Sequence, residues 1–305
     1  MDDSAIGSFR NSLRSVGVTP VTPFHDDLRK VDEEGLRSNL EYLVERGVTL
    51  LYPCGNTGEF TSLSLDEWTV VVEITLEVAS GRAVVAPGVG HGFSTAREML
   101  RRAADLGADG ALLMPPHPAY LADSGVSAYL SGLADFGALP VVVYKRSGWP
   151  TDRTLVDLVG NSPVAGVKYG ENDISAFARN VAAADPGLVW TCGIAERYAP
   201  FFADAGAGGF TSGLANVAPH LALGLFEALE SGDRTESMVL RERCLPFEDI
   251  RARDGAANNV GGVKAAMDAR GLVGGRVRPP MRDLDAATVQ EVREIVTGWF
   301  GGFDS

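Results

Sequence analysis

The sequence predicts an α/β fold, a parallel (β/α)8 (TIM) barrel with a carboxyl-terminal helical appendage. Three observations predict it. Eight short apolar runs recur along the 305 residues. Each is followed by a segment whose apolar residues return with helical spacing, and eight strand–helix pairs are what such a barrel requires. The place where a doubly wound sheet carries its glycine fingerprint reads Thr22-Pro23-Phe24-His25 instead.

The strand-like runs are 16–21, 50–54, 83–87, 110–114, 140–144, 164–168, 188–192 and 208–211. The first helix spans 33–46, with Leu36, Leu40, Leu43 and Val44 on one face and Asp32 as its cap. Further helices follow at 65–78, 95–106, 125–136, 154–159, 174–184, 197–205 and 218–229. The sixth and seventh carry more alanine than large apolar residues, so their ends are poorly marked. Helical spacing continues at 235–252, 260–269 and 285–299, with 276–280 as a connecting loop. The expected organisation is a catalytic barrel over 1–231 and a helical extension over 232–305.

Composition narrows the partners. Hydrophobic residues make up 45% and charged residues 22%, ordinary values for a globular chain with a large core. A formal net charge of −13 argues against nucleic acid or an anionic membrane, which need a basic face. A small anionic substrate is compatible, because a pocket can be locally positive. The three cysteines (Cys54, Cys192, Cys244) are odd in number, with no CxxC spacing. With no signal-peptide-like or bilayer-length apolar run, a cytoplasmic protein is expected.

Only four lysines occur (Lys30, Lys145, Lys168, Lys264), and Lys168 ends the sixth apolar run. An ammonium in dry surroundings tends toward the neutral amine, a nucleophile able to form a Schiff base with a carbonyl. A strand-end lysine can equally snorkel to water. Barrel topology gives chain position a functional meaning, because chemistry sits where strands end and the following loops begin. Tyr144 ends the fifth strand, Gly55-Asn56-Thr57-Gly58-Glu59 follows the second, Gly193 the seventh and Thr211 the eighth. Tyr144 offers a hydroxyl that can pass protons at the lysine. The Gly55–Gly58 turn is either a plain turn or a nest of N–H groups for a carboxylate. Glu59 reads as a general base or, more simply, a helix cap. The glycine-rich stretch 206–213 suggests phosphate, but no lysine or arginine lies between it and Asn216. His25, His91, His117 and His220 lack metal-ligand spacing, so neither a metal nor a cofactor is expected.

Taken in order, GNTGE, VVVY, GVK, GGFTSGLANV and the tail Gly274-Gly275-Arg276-Val277-Arg278-Pro279-Pro280 resemble one family. The chain is similar to the dihydrodipicolinate synthase / N-acetylneuraminate lyase superfamily from about Val18 to Trp299. The resemblance implies that Lys168 forms an imine with an α-keto acid such as pyruvate and that Tyr144 relays protons. It implies that Gly55, Asn56 and Thr57 hold the α-carboxylate, that Thr57 belongs with the catalytic groups, and that Gly193 and Thr211 line the pocket. It also implies a homo-oligomer, tetramer or dimer.

Departures from the synthase pattern point to one branch. The interface tyrosine of typical synthases is matched by Pro118, and the paired threonines by Asn56-Thr57. The cation after the strand-five tyrosine comes early, at Lys145 and Arg146. Arg146 and Thr57-Gly58-Glu59-Phe60 resemble the branch of 5-dehydro-4-deoxyglucarate dehydratase. The expected activity is therefore a keto-deoxy sugar acid dehydratase or aldolase, with Arg146 contacting a distal carboxylate or hydroxyl. The alternatives are 4-hydroxy-tetrahydrodipicolinate synthase, a phosphate-binding isomerase or class II enzyme, and a non-catalytic keto-acid-binding barrel.

Overall fold

The computed structural model describes residues 3–116, 120–161 and 163–300. His117 and Pro118, which entered the sequence argument, lie outside the described residues. The chain opens with helix α1 (Asp3–Ser12), strand β1 (Val16–Val18), α2 (Glu33–Glu45), β2 (Leu50–Leu51) and α3 (Leu65–Ala79). Next come β3 (Val84–Val85), β4 (Gly88–Val89), α4 (Phe93–Leu106), β5 (Ala111–Leu113), α5 (Asp123–Ala134), β6 (Val141–Lys145) and α6 (Asp152–Asn161). Then follow β7 (Val164–Tyr169), α7 (Ile174–Ala183), β8 (Val189–Cys192), α8 (Ala199–Asp204), β9 (Gly209–Ser212) and α9 (Pro219–Glu230). The chain closes with α10 (Arg234–Ala256), α11 (Asn259–Ala269) and α12 (Ala286–Phe300).

Two compact units emerge: Met1–Gly17, Thr49–Tyr52 and Ala83–Thr211 form the first, and Val18–Val48, Pro53–Arg82 and Ser212–Ser305 the second. The sheet belongs almost wholly to the first. Its strand order is β3-β2-β1-β9-β8-β7-β6-β5-β4, so its two ends are β3 and β4. These are the two halves of one continuous run, 84–89. Its first half bonds backward, through Val84 N–H to Thr49 O (2.8 Å) and Ala86 N–H to Leu51 O (2.9 Å). Its second half accepts forward, from Leu112 N–H at Pro87 O (2.9 Å) and from Met114 N–H at Val89 O (2.8 Å). One strand therefore joins both ends, and the sheet is an eight-stranded parallel barrel with no free edge. All five residues of β6 and all six of β7 are buried, as expected for parallel strands covered on both faces.

The sequence reading missed α1. Its Phe9 and Leu13 are buried, and Arg10 Nη2 donates to Val164 O at 3.0 Å, where β7 begins. The helix thus covers the amino ends of the strands. With so few large apolar residues it offers little periodicity, and burial against the sheet supplies its stability.

Within the second unit, Asp32 caps α2 by accepting from Gly35 N–H, and Leu36, Leu40, Leu43 and Val44 face inward as expected. Ser64 and Glu67 form a reciprocal capping box that starts α3. Helical dihedrals in α10 stop at Ala252, because Arg253, Asp254 and Gly255 leave them. The carboxyl-terminal helices share a core in which Phe247 and Trp299 meet edge to face at 5.3 Å. Among the described residues no helix is long and apolar enough to cross a membrane.

Candidate active site

β6 and β7 are paired in register with Tyr144 opposite Lys168, so the two side chains lie side by side on one face of the sheet. The Lys168 Nζ sits 4.3 Å from the centre of the Tyr144 ring and 5.8 Å from that of Tyr52. Lys168 is only 4% exposed. Burial, reinforced by the nearby Arg146 guanidinium, pulls its pKa down to about 7; Cys192 opposes the shift weakly. The Cys192 thiol is itself pushed up to about 12 by burial, so it stays protonated and offers Lys168 no negative charge.

The other lysines are occupied or solvated. Lys30 is exposed. Lys145, one residue beyond Tyr144, points to the opposite face, where its Nζ donates to Pro150 O at 2.7 Å and pairs with Asp152 at 3.3 Å. Lys264 Nζ pairs with Glu59 Oε1 at 2.6 Å and donates to Arg276 O at 2.8 Å. Among the described residues no carboxylate pairs with Lys168. It is the one buried amine of the four whose free form lacks an ionic competitor.

Arg146 begins a two-residue reversal, with its N–H on Trp149 O (2.8 Å) and its carbonyl accepting from Trp149 N–H (3.1 Å). Ser147 and Gly148 both take positive φ (56° and 80°), the geometry of a tight hairpin turn. Half-buried Arg146 reaches back so that Nη1 stands 3.5 Å from the Tyr144 hydroxyl. The structure thus brings Lys168, Tyr144 and Arg146 together. Gly193 and Thr211 lie on the same unit. A Cβ on Gly193 would stand 2.8 Å from Tyr169 O, so the neighbouring backbones approach too closely for any side chain. Thr211 is buried, with Oγ1 3.5 Å from Cys192 O.

Gly55, Asn56 and Thr57 belong to the second unit. Their turn is closed by Glu59 N–H on Asn56 O (3.1 Å) and Phe60 N–H on Gly55 O (3.2 Å), and Thr57 is buried. A cavity of about 380 Å³ in this unit is lined by Asn56, Phe60, Val260, Met281 and Arg282 among others. Glu59 does not cap a helix with its side chain; it is the buried partner of an ion pair. It adopts a left-handed conformation, caps nothing with its side chain, and is wholly committed to Lys264 and to Arg278 N–H (3.0 Å). Local sequence could not reveal this, because its partners lie about two hundred residues away.

Two further residues escaped sequence reasoning. Tyr52 presents its ring to Lys168, and the glycine inside the first strand marked it: a Cβ on Gly17 would stand 2.4 Å from that ring. Arg251 packs against Gly213 at the end of the late glycine stretch, yet it is held by Glu248 (2.5 Å) and Asn259. That arginine is structural and unavailable to a phosphate. Among the described residues no group of three or more His, Cys, Asp and Glu is placed to hold a metal ion.

The signature described as the Dihydrodipicolinate synthetase family matches residues 12–298. A probable 5-dehydro-4-deoxyglucarate dehydratase from Methylobacterium radiotolerans is 36% identical over 283 residues, covering 91% of this chain and 92% of that protein. A 4-hydroxy-tetrahydrodipicolinate synthase from Methanoculleus marisnigri is 34% identical over 289 residues, covering 92% and 98%. The crystal structure of dihydrodipicolinate synthase from Oceanobacillus iheyensis superposes with a TM-score of 0.93 at 34% identity, covering 97% and 99%. The match spans nearly the whole chain, so the protein belongs to the dihydrodipicolinate synthetase family and is a class I, Schiff-base lyase built on a TIM barrel.

Proposed function

We propose that Lys168 forms the imine and that the substrate is a sugar-derived 2-keto acid, dehydrated or cleaved next to its ketone. One observation carries this reading: the Lys168 amine is buried, free of any carboxylate among the described residues, and beside the Tyr144 ring. The neutral amine attacks the C2 carbonyl, and the carbinolamine loses water as the Tyr144 hydroxyl passes protons. The cationic imine then accepts the electron pair left when the C3 proton departs. The resulting enamine expels the C4 hydroxyl as water in a dehydratase. In an aldolase the same sink accepts electrons from the breaking C3–C4 bond. Hydrolysis of the product imine returns the amine.

Gly55, Asn56 and Thr57 are assigned the substrate's α-carboxylate on their motif, and Gly193 and Thr211 the lining of the pocket. A homo-oligomer, tetramer or dimer, and a cytoplasmic location complete the proposal.

Tyr144→Phe, which keeps the ring over Lys168 but removes the hydroxyl, should lower turnover by about 10²–10³-fold. Substrate half-saturation should change little; an unchanged rate would remove Tyr144 from the relay. Arg146 is assigned the substrate's distal anionic or hydroxyl group. Arg146→Ala should raise KM for a keto diacid by about tenfold or more and affect pyruvate capture far less. Equal effects on both would give Arg146 a purely structural role.

The 4-hydroxy-tetrahydrodipicolinate synthase reading has its own support, since a relative carrying that name matches at 34% identity against 36% for a dehydratase. Incubation with keto sugar acids against pyruvate plus an amino aldehyde acid separates elimination from condensation. Turnover of the second pair alone would transfer the assignment to the synthase.

A further inference from the structure

We propose that Glu171 is a positioning residue whose carboxylate holds the Arg146–Trp149 turn, and that the turn so held selects keto acids bearing a second anionic group. This rests on the assignment of Lys168 as imine former. The turn is anchored at two places. At its far end Pro150 O accepts from Lys145 Nζ. Asp152, which pairs with that same lysine, also takes the Tyr169 hydroxyl (3.3 Å) and Asn180 Nδ2 (2.9 Å) on its Oδ1. At its tip, Gly148 N–H donates to Glu171 Oε1 at 2.9 Å.

Glu171 follows β7, the strand that carries Lys168. The hydrogen bond at the tip therefore ties the turn bearing the cation to the strand bearing the nucleophile. Ser147 and Gly148 occupy left-handed backbone, and for Ser147 that conformation is costly without external support. The acceptor for the exposed Gly148 N–H supplies it.

What the turn presents is a cation that touches the Tyr144 hydroxyl and has no anionic partner among the described residues. Among the described residues no carboxylate pairs with the Arg146 guanidinium, although it is half-buried and stands beside the Tyr144 hydroxyl. A half-buried guanidinium with no carboxylate of its own is suited to one delivered by the ligand, bidentately where geometry allows. The ligand class is accordingly a 2-keto acid whose other end carries a carboxylate. A monocarboxylate such as pyruvate would leave the guanidinium without an anionic partner.

The test uses the full chain and borohydride trapping at Lys168, with pyruvate and with 2-oxoadipate as probes, in wild type, Glu171→Ala and Glu171→Gln. Glu171→Ala should raise the half-saturating 2-oxoadipate concentration by about five- to tenfold, the scale of losing one charge-assisted hydrogen bond, and move pyruvate's by less than about twofold. Glu171→Gln, which keeps an acceptor oxygen, should recover most of the difference, with melting temperatures unchanged in both variants. Equal shifts for the two probes, no shift for either, or failure of glutamine to rescue would overturn the role of Glu171 while leaving the imine intact. Absence of any adduct in wild type with either probe would overturn the imine assignment and this inference with it.

Discussion

Replacing Lys168 with alanine is expected to lower turnover on the order of 10⁴-fold or more and to abolish the mass that borohydride fixes to the wild-type enzyme in the presence of pyruvate. The fold should survive, because the side chain makes no ion pair among the described residues and its removal leaves no buried charge unpaired. The same geometry gives the reaction a pH signature. The amine titrates at about 7, so the nucleophilic form predominates above that pH and is lost below it. Adduct formation should fall tenfold for each pH unit below about 7 and level off above it, in line with single-proton titration. Arg146 contributes to the depression by its charge, so Arg146→Ala should move this limb to higher pH. Persistent, stoichiometric borohydride labelling in Lys168→Ala would sink the assignment. A limb that stays in place in Arg146→Ala would show that burial alone sets the pKa.

The second large effect concerns stability. Lys264→Ala should destabilise the protein by about 3–5 kcal/mol, because Glu59 would remain a buried carboxylate without its counter-ion. Glu59 and Lys264 are 0% and 1% exposed at the side chain and sit 2.6 Å apart. The lysine also donates to Arg276 O and lies 4.6 Å from the centre of the Phe24 ring. Burial lowers the amine's pKa and the Glu59 carboxylate opposes that shift, so the amine's charge depends on its partner. The double variant Glu59→Gln/Lys264→Met, with no charge left to bury, should be less destabilised than the single one. Denaturant unfolding of the three proteins checks this. A loss under about 1 kcal/mol in Lys264→Ala would mean that water reaches Glu59 and solvates it.

The barrel was legible in the sequence because its signal is repeated. Each run of apolar residues is short, but eight of them alternate with helical spacing, and a parallel strand buried on both faces reads as continuous hydrophobicity. The strand ends mattered most. Tyr144 and Lys168 could be placed at one mouth from chain position alone, and the register between β6 and β7 sets them directly opposite. What was not legible involved partners distant in sequence. Glu59 looked like a helix cap until Lys264 and Arg278 claimed it. Arg251 gave no sign that it would fill the space beside Gly213. Helix α1 lacked the periodicity that would have announced it.

The sequence by itself determined the fold, the strand-end location of the chemistry and the residue types that chemistry needs, since periodicity and topology are local properties repeated along the chain. Only the tertiary structure decided which lysine is free. Lys145 and Lys264 are as deeply buried as Lys168, and the difference among them is whether a carboxylate arrives from another part of the chain. Burial is common to all three amines, but ion pairing depends on distances that no local pattern encodes.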